Sequence, residues 1–270
     1  MVRLFKEGKS RVKISKIIGC SVQTVCNHLK RAGVVAIIVA FLFFAPVIHA
    51  ATPTLIDHKI AQTVTFNNVT TAALNCTGAN LYYVALSHFD GSPAVSTSDS
   101  ASLSAMTKRV DGLSTAVSSY FAVGVTGNAS VTATATTTAL SPSIEFSCWS
   151  NVNNFDVQNG NTTNSVVTAL TTGSITPTDT GALTITAIDA PAATASFAIG
   201  SSFTVLDSAY VTGFAFALSV GYKIGNSGAQ NPQWTWTTAS DAAANIGSFT
   251  ETGVAVTCHS SMALLGAGGC

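Results

Sequence analysis

The sequence predicts an all-β fold, an antiparallel β-sandwich of jelly-roll type, preceded by a short helical segment and one apolar helix. Three observations support it. Beyond residue 51, apolar and polar residues alternate with a period of two over many short stretches, as in strands with one buried and one solvated face. Turn-forming pairs such as Asp90-Gly91 and Asn159-Gly160 separate these stretches. Charged residues make up only 9% of the chain, and hydroxyl-rich, weakly charged strand faces are typical of extracellular modules.

An apolar run over residues 32–51 divides the chain. Residues 32–48 carry no charge, which is near the shortest length that spans about 30 Å of hydrocarbon. Lys30-Arg31 precede the run and Ile48-His49-Ala50 closes it, in the order of a secretory signal and its cleavage site. We therefore expect cleavage after Ala50. The alternatives are an uncleaved single-pass anchor over residues 34–50 with a cytoplasmic N-terminus, and, less favoured, a buried core helix.

The two sides of this run carry opposite charge. Residues 1–33 hold eight basic residues and one acidic residue, a net charge of +7, whereas residues 51–270 hold four basic and eleven acidic residues, a net charge of −7. Basic residues keep their side of an apolar segment in the cytoplasm. The segment 51–270 is therefore expected outside, either secreted or at the cell surface.

Residues 1–33 have the pattern of two short helices. Ile14, Ile17 and Ile18 form one apolar face, Gly19-Cys20 makes a turn, and Ser21 can cap a second helix. The stretch GKSRVKISKIIGCSVQTVCNHLKRAG, residues 8–33, resembles helix-turn-helix domains of the resolvase or homeodomain-like type. The resemblance implies DNA contacts by Gln23, Thr24, Asn27, His28, Lys30 and Arg31. DNA binding requires that residues 1–33 fold. The alternative is that they form a long basic leader or upstream coding sequence.

Residues 51–270 are predicted to form one domain of ten or more strands. The predicted strands are 60–68, 80–89, 103–110, 116–124, 131–135, 143–150, 164–171, 183–187, 195–206, 214–222, 232–238 and 246–257. The polar run NVNNFDVQNGNTTN, residues 151–164, is predicted to be a long loop inside that domain.

Four stretches carry a second resemblance: ANLYYVALSHFDGS, FDVQNG, SITPTDTGALTITAI and NPQWTWTTASDAAANIGSF. Over residues 60–250 the chain resembles β-sandwich proteins of phage genomes and of bacterial or metagenomic surfaces. The resemblance implies a jelly-roll-like module on a virion or cell surface. It implies no catalytic chemistry.

Four cysteines follow the apolar run: Cys76, Cys148, Cys258 and Cys270. An even number in an exported domain is consistent with two disulfides, which can form in three pairings. We favour Cys76 with Cys148 and Cys258 with Cys270, since the second pair would hold the C-terminal tail. Alternatively, Cys148 is simply a small buried residue of an apolar strand.

Trp234 and Trp236 lie two residues apart, so their rings share one face of a strand. On an exposed face they would form a stacking platform for sugar rings. The favoured alternative is that both rings belong to the core, because alternating aromatic residues more often face inward.

No motif for nucleophilic catalysis, metal binding or cofactor binding is found, so we expect neither a metal nor a cofactor. A glycosidase remains as an alternative because it needs only two carboxylates that meet in space. The available acidic residues include Asp90, Asp111, Glu145 and Asp156.

The resulting prediction is an exported, non-enzymatic β-sandwich that acts as a surface or virion-associated structural or adhesion module. Its partners would be surface or virion proteins, or glycans. One alternative is a membrane-anchored regulator, held by residues 32–50, with the helix-turn-helix inside and the sandwich as a sensor outside. Another is a glycan-binding module.

Overall fold

The computed structural model describes residues 7–8, 51–63, 67–88, 93–106, 110–111, 116–137, 142–191, 196–210, 217–225 and 228–253. Within it, Ala50–Gly253 form one compact unit. Residues 9–50, which hold all but the first residue of the predicted helix-turn-helix and all but the last residue of the apolar run, lie outside the described residues, as do Cys258 and Cys270. The described part of the chain contains no helix that is long and apolar enough to cross a membrane.

The predicted all-β, antiparallel class is confirmed. In chain order the strands are β1 (Thr54–Gln62), β2 (Asn67–Thr70), β3 (Leu81–His88), β4 (Ala94–Thr97), β5 (Ser104–Ala105), β6 (Val110–Asp111), β7 (Ala116–Val123), β8 (Ala133–Thr137), β9 (Ser143–Ser150), β10 (Val152–Thr171), β11 (Leu183–Asp189), β12 (Ala198–Ile199), β13 (Thr204–Tyr210), β14 (Ala217–Ile224) and β15 (Gln233–Glu251). Strands β3, β7 and β9 coincide with predicted strands to within one residue at either end.

The strands form three sheets. The central sheet has the order β1-β9-β3-β7-β5, with β6 also paired to β7, and the small sheet has the order β2-β8-β4. The second sheet has the order β10-β15-β11-β14-β13, with β12 also paired to β15. As far as β9 the chain passes repeatedly between two sheets, with β2, β4 and β8 in the small sheet and the other strands, including the consecutive β5, β6 and β7, in the central sheet. Strands β10 to β15 then build the second sheet.

The central sheet is the middle layer of the fold. One of its faces packs on the second sheet through a core that includes Tyr83, Trp149 and Phe249. The other face packs on the small sheet through a core that includes Tyr82 and Phe146. All eight residues of β3 are therefore buried.

The expectation that alternating strands have a solvated face is wrong for this sheet. In β9, the polar residues Ser143, Glu145 and Ser147 alternate with apolar residues, an arrangement whose polar face is solvated in many antiparallel sheets. All three are fully buried, because they face the second sheet while their apolar neighbours Ile144 and Phe146 face the small sheet.

The prediction of a long loop over residues 151–164 is also wrong. Most of that polar run lies in the 20-residue strand β10, whose backbone pairs with β15. Its amide side chains also bond to nearby backbone: Asn159 Nδ2 donates to the Ser174 carbonyl at 2.8 Å and Asn161 Nδ2 donates to the Thr171 carbonyl at 2.9 Å. Because its backbone is paired along the edge of the sheet, β10 forms a strand although its sequence has no apolar face.

The ribbon of β10 and β15 folds back over its own sheet. The second half of β15 pairs with β11 from Ala243 to Phe249. The first half carries Trp234, whose Nε1 donates to Thr186 Oγ1 on β11 at 3.1 Å, on the face that is turned away from the central sheet. The pairing register of the ribbon shifts between Thr163 and Ala169. Register shifts of this kind bend a strand, and they account for the folding back of the ribbon.

Candidate functional site

The candidate site lies at a seam between two sheet edges. Strand β1 is the outer strand of the central sheet and β13 is the outer strand of the second sheet. His58 of β1 and Asp207 of β13 join these edges, with Nδ1 and Oδ2 2.6 Å apart. Both side chains are partly exposed. The seam is thus a place where the interior of the fold approaches solvent.

Next to this pair is an open surface pocket of about 480 Å³. Its lining residues follow the pair along both strands: Ile60, Ala61, Gln62, Ser208, Ala209 and Tyr210. Tyr210 is 47% exposed and is one of two strongly exposed large apolar side chains among the described residues. The mouth of the pocket therefore offers an aromatic ring beside amide and hydroxyl groups.

Behind the pocket lie buried polar groups of β9. Ile60 pairs with Glu145 and Gln62 pairs with Ser143 in the ladder between β1 and β9. The hydroxyl of Ser143 is buried without a hydrogen-bond partner among the described residues, and the buried carboxyl of Glu145 has the Ser147 hydroxyl beside it. Burial raises the pKa of Glu145 well above its usual range and the nearby Asp207 carboxylate raises it further, while the Ser147 hydroxyl acts in the opposite direction.

Asp57 fixes the start of the seam. Strand β1 has an irregularity between Leu55 and Asp57, and the Asp57 carboxylate accepts hydrogen bonds from the backbone N–H groups of His58 at 2.8 Å and Asn75 at 2.9 Å. Partial burial raises the pKa of Asp57, but these two hydrogen bonds and the nearby Lys59 ammonium outweigh it, so that the pKa is lowered. The charged Asp57 carboxylate therefore joins the backbone of β1 to the segment before β3 at the start of the seam.

A disulfide joins Cys76 to Cys148, with a Cα–Cα distance of 5.7 Å. This is the pairing we favoured from the sequence. Both cysteines are fully buried in the core between the central and small sheets. The bond attaches the segment before β3 to β9, next to Asp57, whose carbonyl lies 3.6 Å from Cys148 Sγ.

A second polar group lies deeper between the two large sheets. The Tyr83 hydroxyl and Ser119 Oγ are 2.7 Å apart, and Ser119 Oγ donates to Asn245 Oδ1 at 3.1 Å. Burial raises the pKa of Tyr83. Asp189, also fully buried, has its pKa raised well above its usual range by burial, against the effect of the Ala217 and Ala116 N–H groups. The interior between the two large sheets therefore contains several buried polar groups.

The predicted tryptophan pair is inside the fold. Trp234 is fully buried and Trp236 is 4% exposed, and both pack with Leu170 and Ile188 beneath the folded-back ribbon. Phe197 packs against both rings. Neither ring is available as a stacking surface for a sugar.

The carboxylates considered for a glycosidase are not assembled as a pair in the described structure. Glu145 is buried between the central and second sheets. Asp156 lies on the other side of the second sheet, where it accepts hydrogen bonds from Ser248 Oγ at 3.0 Å and from Thr178. Asp90 and the side chain of Asp111 lie outside the described residues, as do the predicted DNA-contacting residues, Gln23 to Arg31.

The contact between β1 and β13 at the seam could not be predicted from the sequence. His58 and Asp207 are 149 residues apart, and no spacing rule links them. One signal was present: Glu145 is a single carboxylate inside the apolar stretch IEFSCW. A lone acidic residue in such a strand indicates a buried or functional carboxyl when both faces of the strand are covered.

Searches against protein-family models, curated proteins and solved structures returned no match for this chain. Within the described ranges, no group of three or more His, Cys, Asp or Glu side chains could hold a metal ion.

Proposed function

We propose that this protein is an exported, non-enzymatic module of a cell or virion surface, with a structural or adhesive role. The observation that carries the proposal is the disulfide between Cys76 and Cys148. Disulfides form and persist in oxidising compartments outside the cytoplasm. The signal-like apolar run and the charge asymmetry of the chain favour the same location.

The use of hydroxyl groups supports a structural role. Thr70 and Thr134 join neighbouring strands of the small sheet through their Oγ1 atoms at 2.9 Å. Ser208 and Ser219 join β13 to β14 through their Oγ atoms at 2.7 Å. Many Ser and Thr side chains therefore act as additional cross-strand links, which suits a module that must hold its shape outside the cell.

We further infer a β-sandwich of jelly-roll type for the central and small sheets. The placement of β2, β4 and β8 in the small sheet and of the other strands up to β9 in the central sheet supports it, because jelly rolls and other Greek-key folds pass repeatedly between two sheets. The second sheet, with its folded-back ribbon, is then an additional layer on this sandwich.

Surface labelling tests the proposed location. Lys59 has a side chain that is 48% exposed, so a membrane-impermeant amine reagent should label it on intact cells or particles from the natural source. Labelling of Lys59 without lysis is expected. Labelling that appears only after lysis, with a cytoplasmic protein as the matched control, would overturn the proposal.

A further inference from the structure

The pocket between β1 and β13 has an uncharged lining. None of the residues that line it is acidic or basic. Of the ionic groups next to them in the sequence, His58 is bonded to Asp207 at 2.6 Å and Lys59 is paired with Asp57 at 3.5 Å. These charges already have partners within the protein. The lining therefore favours a neutral ligand over a charged one.

Tyr210 provides the pocket with an exposed aromatic ring. The residue is 47% exposed, and it is the single aromatic residue of the lining. Tyrosine combines an apolar ring face with a hydroxyl group, and it is enriched at binding surfaces for that reason. A sugar ring is a suitable counterpart, because it has an apolar face of C–H groups and a rim of hydroxyl groups.

Hydrogen-bonding groups lie on both walls beside this ring. Gln62, at the end of β1, is exposed, and its amide offers an acceptor and two N–H donors. On the opposite wall Ser208 is also exposed. Its Oγ lies 2.7 Å from Ser219 Oγ, which fixes the hydroxyl and leaves it capacity for a further hydrogen bond. These groups match sugar hydroxyls, which both donate and accept.

The pocket lies at one end of the fold, far from the point where the described unit begins and ends. Ala51 pairs with Thr252 in an isolated bridge just before β1. Gln62 and Tyr210 are the last residues of β1 and β13. The nine residues of β1 separate these two ends by roughly 25 Å. Any segment attached before residue 51 or after residue 253 therefore joins the unit at the end opposite to the pocket.

We propose that this pocket binds a neutral sugar residue of a glycan, which stacks on the ring of Tyr210 and forms hydrogen bonds with Gln62 and Ser208. The inference rests on the adhesive role proposed above and names the class of its ligand. Tyr210 takes the stacking role that the buried Trp234 and Trp236 cannot fill. A position at the free end of the module suits contact with the glycans of another surface.

A proline-rich peptide fits the pocket less well. Such peptides dock in grooves that are lined by aromatic side chains, whereas the lining of this pocket includes one aromatic residue. Its aliphatic part consists of Ile60, Ala61 and Ala209, a small area for an extended apolar segment. The amide and hydroxyl groups on the two walls favour a ligand that is rich in hydroxyl groups.

An array of immobilised glycans tests the proposal with the purified full-length chain. The array presents neutral oligosaccharides that end in galactose, glucose, mannose, N-acetylglucosamine or N-acetylgalactosamine, and sulfated forms of the same glycans as matched charged probes. We expect at least one neutral glycan to be bound and its sulfated form to be bound no more tightly. Titration of that neutral glycan then gives the affinity with which variants are compared.

Three variants locate the site. Tyr210→Leu keeps an apolar side chain and removes the ring, so affinity should fall at least about fivefold, whereas Tyr210→Phe keeps the ring and should retain the affinity within about threefold. Gln62→Ala removes the amide and should weaken binding about threefold or more. Val166→Ala, at the other strongly exposed large apolar residue, is the matched control and should bind as the natural protein does.

Three results would overturn the proposal. These are the absence of binding to every neutral glycan, binding confined to the sulfated forms, and undiminished binding by the Tyr210→Leu variant. The changed residues are exposed, so each variant should fold, and near-ultraviolet circular dichroism checks this. If Tyr210→Leu does not fold, undiminished binding by Gln62→Ala would overturn the proposal in its place.

The surface labelling of Lys59 described above distinguishes failure of this inference from failure of the proposed function. A protein that is labelled on intact cells or particles but binds no neutral glycan keeps its surface role and loses the glycan site. A protein that binds a neutral glycan through Tyr210 but is labelled only after lysis keeps the site and loses the proposed location.

Discussion

His58 and Asp207 connect the edges of two different sheets, with Nδ1 and Oδ2 2.6 Å apart. They form a hydrogen bond between the outer strand of the central sheet, β1, and the outer strand of the second sheet, β13. The pocket begins two residues further along β1, at Ile60. The pair therefore lies directly beside the pocket.

Replacing His58 with Ala should loosen the seam without unfolding the protein. The two side chains are 35% and 20% exposed, so we expect a loss of about 0.5–1 kcal/mol in the free energy of unfolding. Amide hydrogen exchange should become faster in β1 and β13 specifically. Lys59→Ala, which removes a more exposed pair with Asp57, is the control. Unchanged exchange in β13 would contradict this role.

Trp234 should be the most costly residue to truncate in the folded-back ribbon. Its ring is fully buried and its Nε1 donates to Thr186 Oγ1. Trp234→Ala should lower the free energy of unfolding by about 3–5 kcal/mol in urea titration. Val166→Ala, at a position that is 74% exposed, should change it by less than about 0.5 kcal/mol. Similar small effects of both changes would contradict the packing described above.

Loss of the disulfide should destabilise the fold strongly. The two cysteines are 72 residues apart, and closure of a loop of this length is worth about 4 kcal/mol in the chain-entropy account. The variant with Cys76→Ala and Cys148→Ala should show a correspondingly lower urea midpoint. Reductant should lower the midpoint of the natural protein toward that of the variant and leave the variant unchanged. A natural protein that is insensitive to reductant would contradict the prediction.

Stability should fall as pH rises above the ordinary pKa values of two buried carboxyls. Burial raises the pKa of Glu145 from 4.5 and of Asp189 from 3.8, so the folded state holds protons that the unfolded state releases. Their stabilising effect is complete below the unfolded pKa values and is lost as pH rises toward the folded ones.

Glu145→Gln and Asp189→Asn should each flatten the decline in stability measured by urea titration between pH 5 and pH 8. The carboxyls of Asp57 and Asp99, whose pKa values are lowered, act in the opposite direction at acidic pH, and comparison between variants removes their contribution. An unchanged pH dependence in both variants would show that the two carboxyls are not protonated in the folded state.

The strands with clear apolar character could be predicted from the sequence. The alternation in β11 and the apolar content of β3 and β9 are local properties, and these strands appear where expected. The number of stacked sheets, in contrast, is not a local property of the sequence. Nothing in the Ser143-Glu145-Ser147 pattern indicates that a second sheet covers that face, because the covering strands begin after residue 180.

The candidate site depends on this unpredicted layering. Strand β10 has little apolar character, and its pairing with β15 joins residues such as Val152 and Glu251 that are far apart in the sequence. The bend that carries Trp234 over Thr186 arises from register shifts in the same ribbon. Spacing alone placed the two tryptophans on one face, but whether that face is covered depends on the bend.

The most direct test of the proposed exported role is intact mass and N-terminal sequencing of the protein isolated from its natural source, without reductant. We predict a chain that begins at Ala51, with a mass that shows Cys76 and Cys148 oxidised. A chain that begins at Met1, is found in the cytoplasm and has both cysteines reduced would contradict export and with it the proposed surface role.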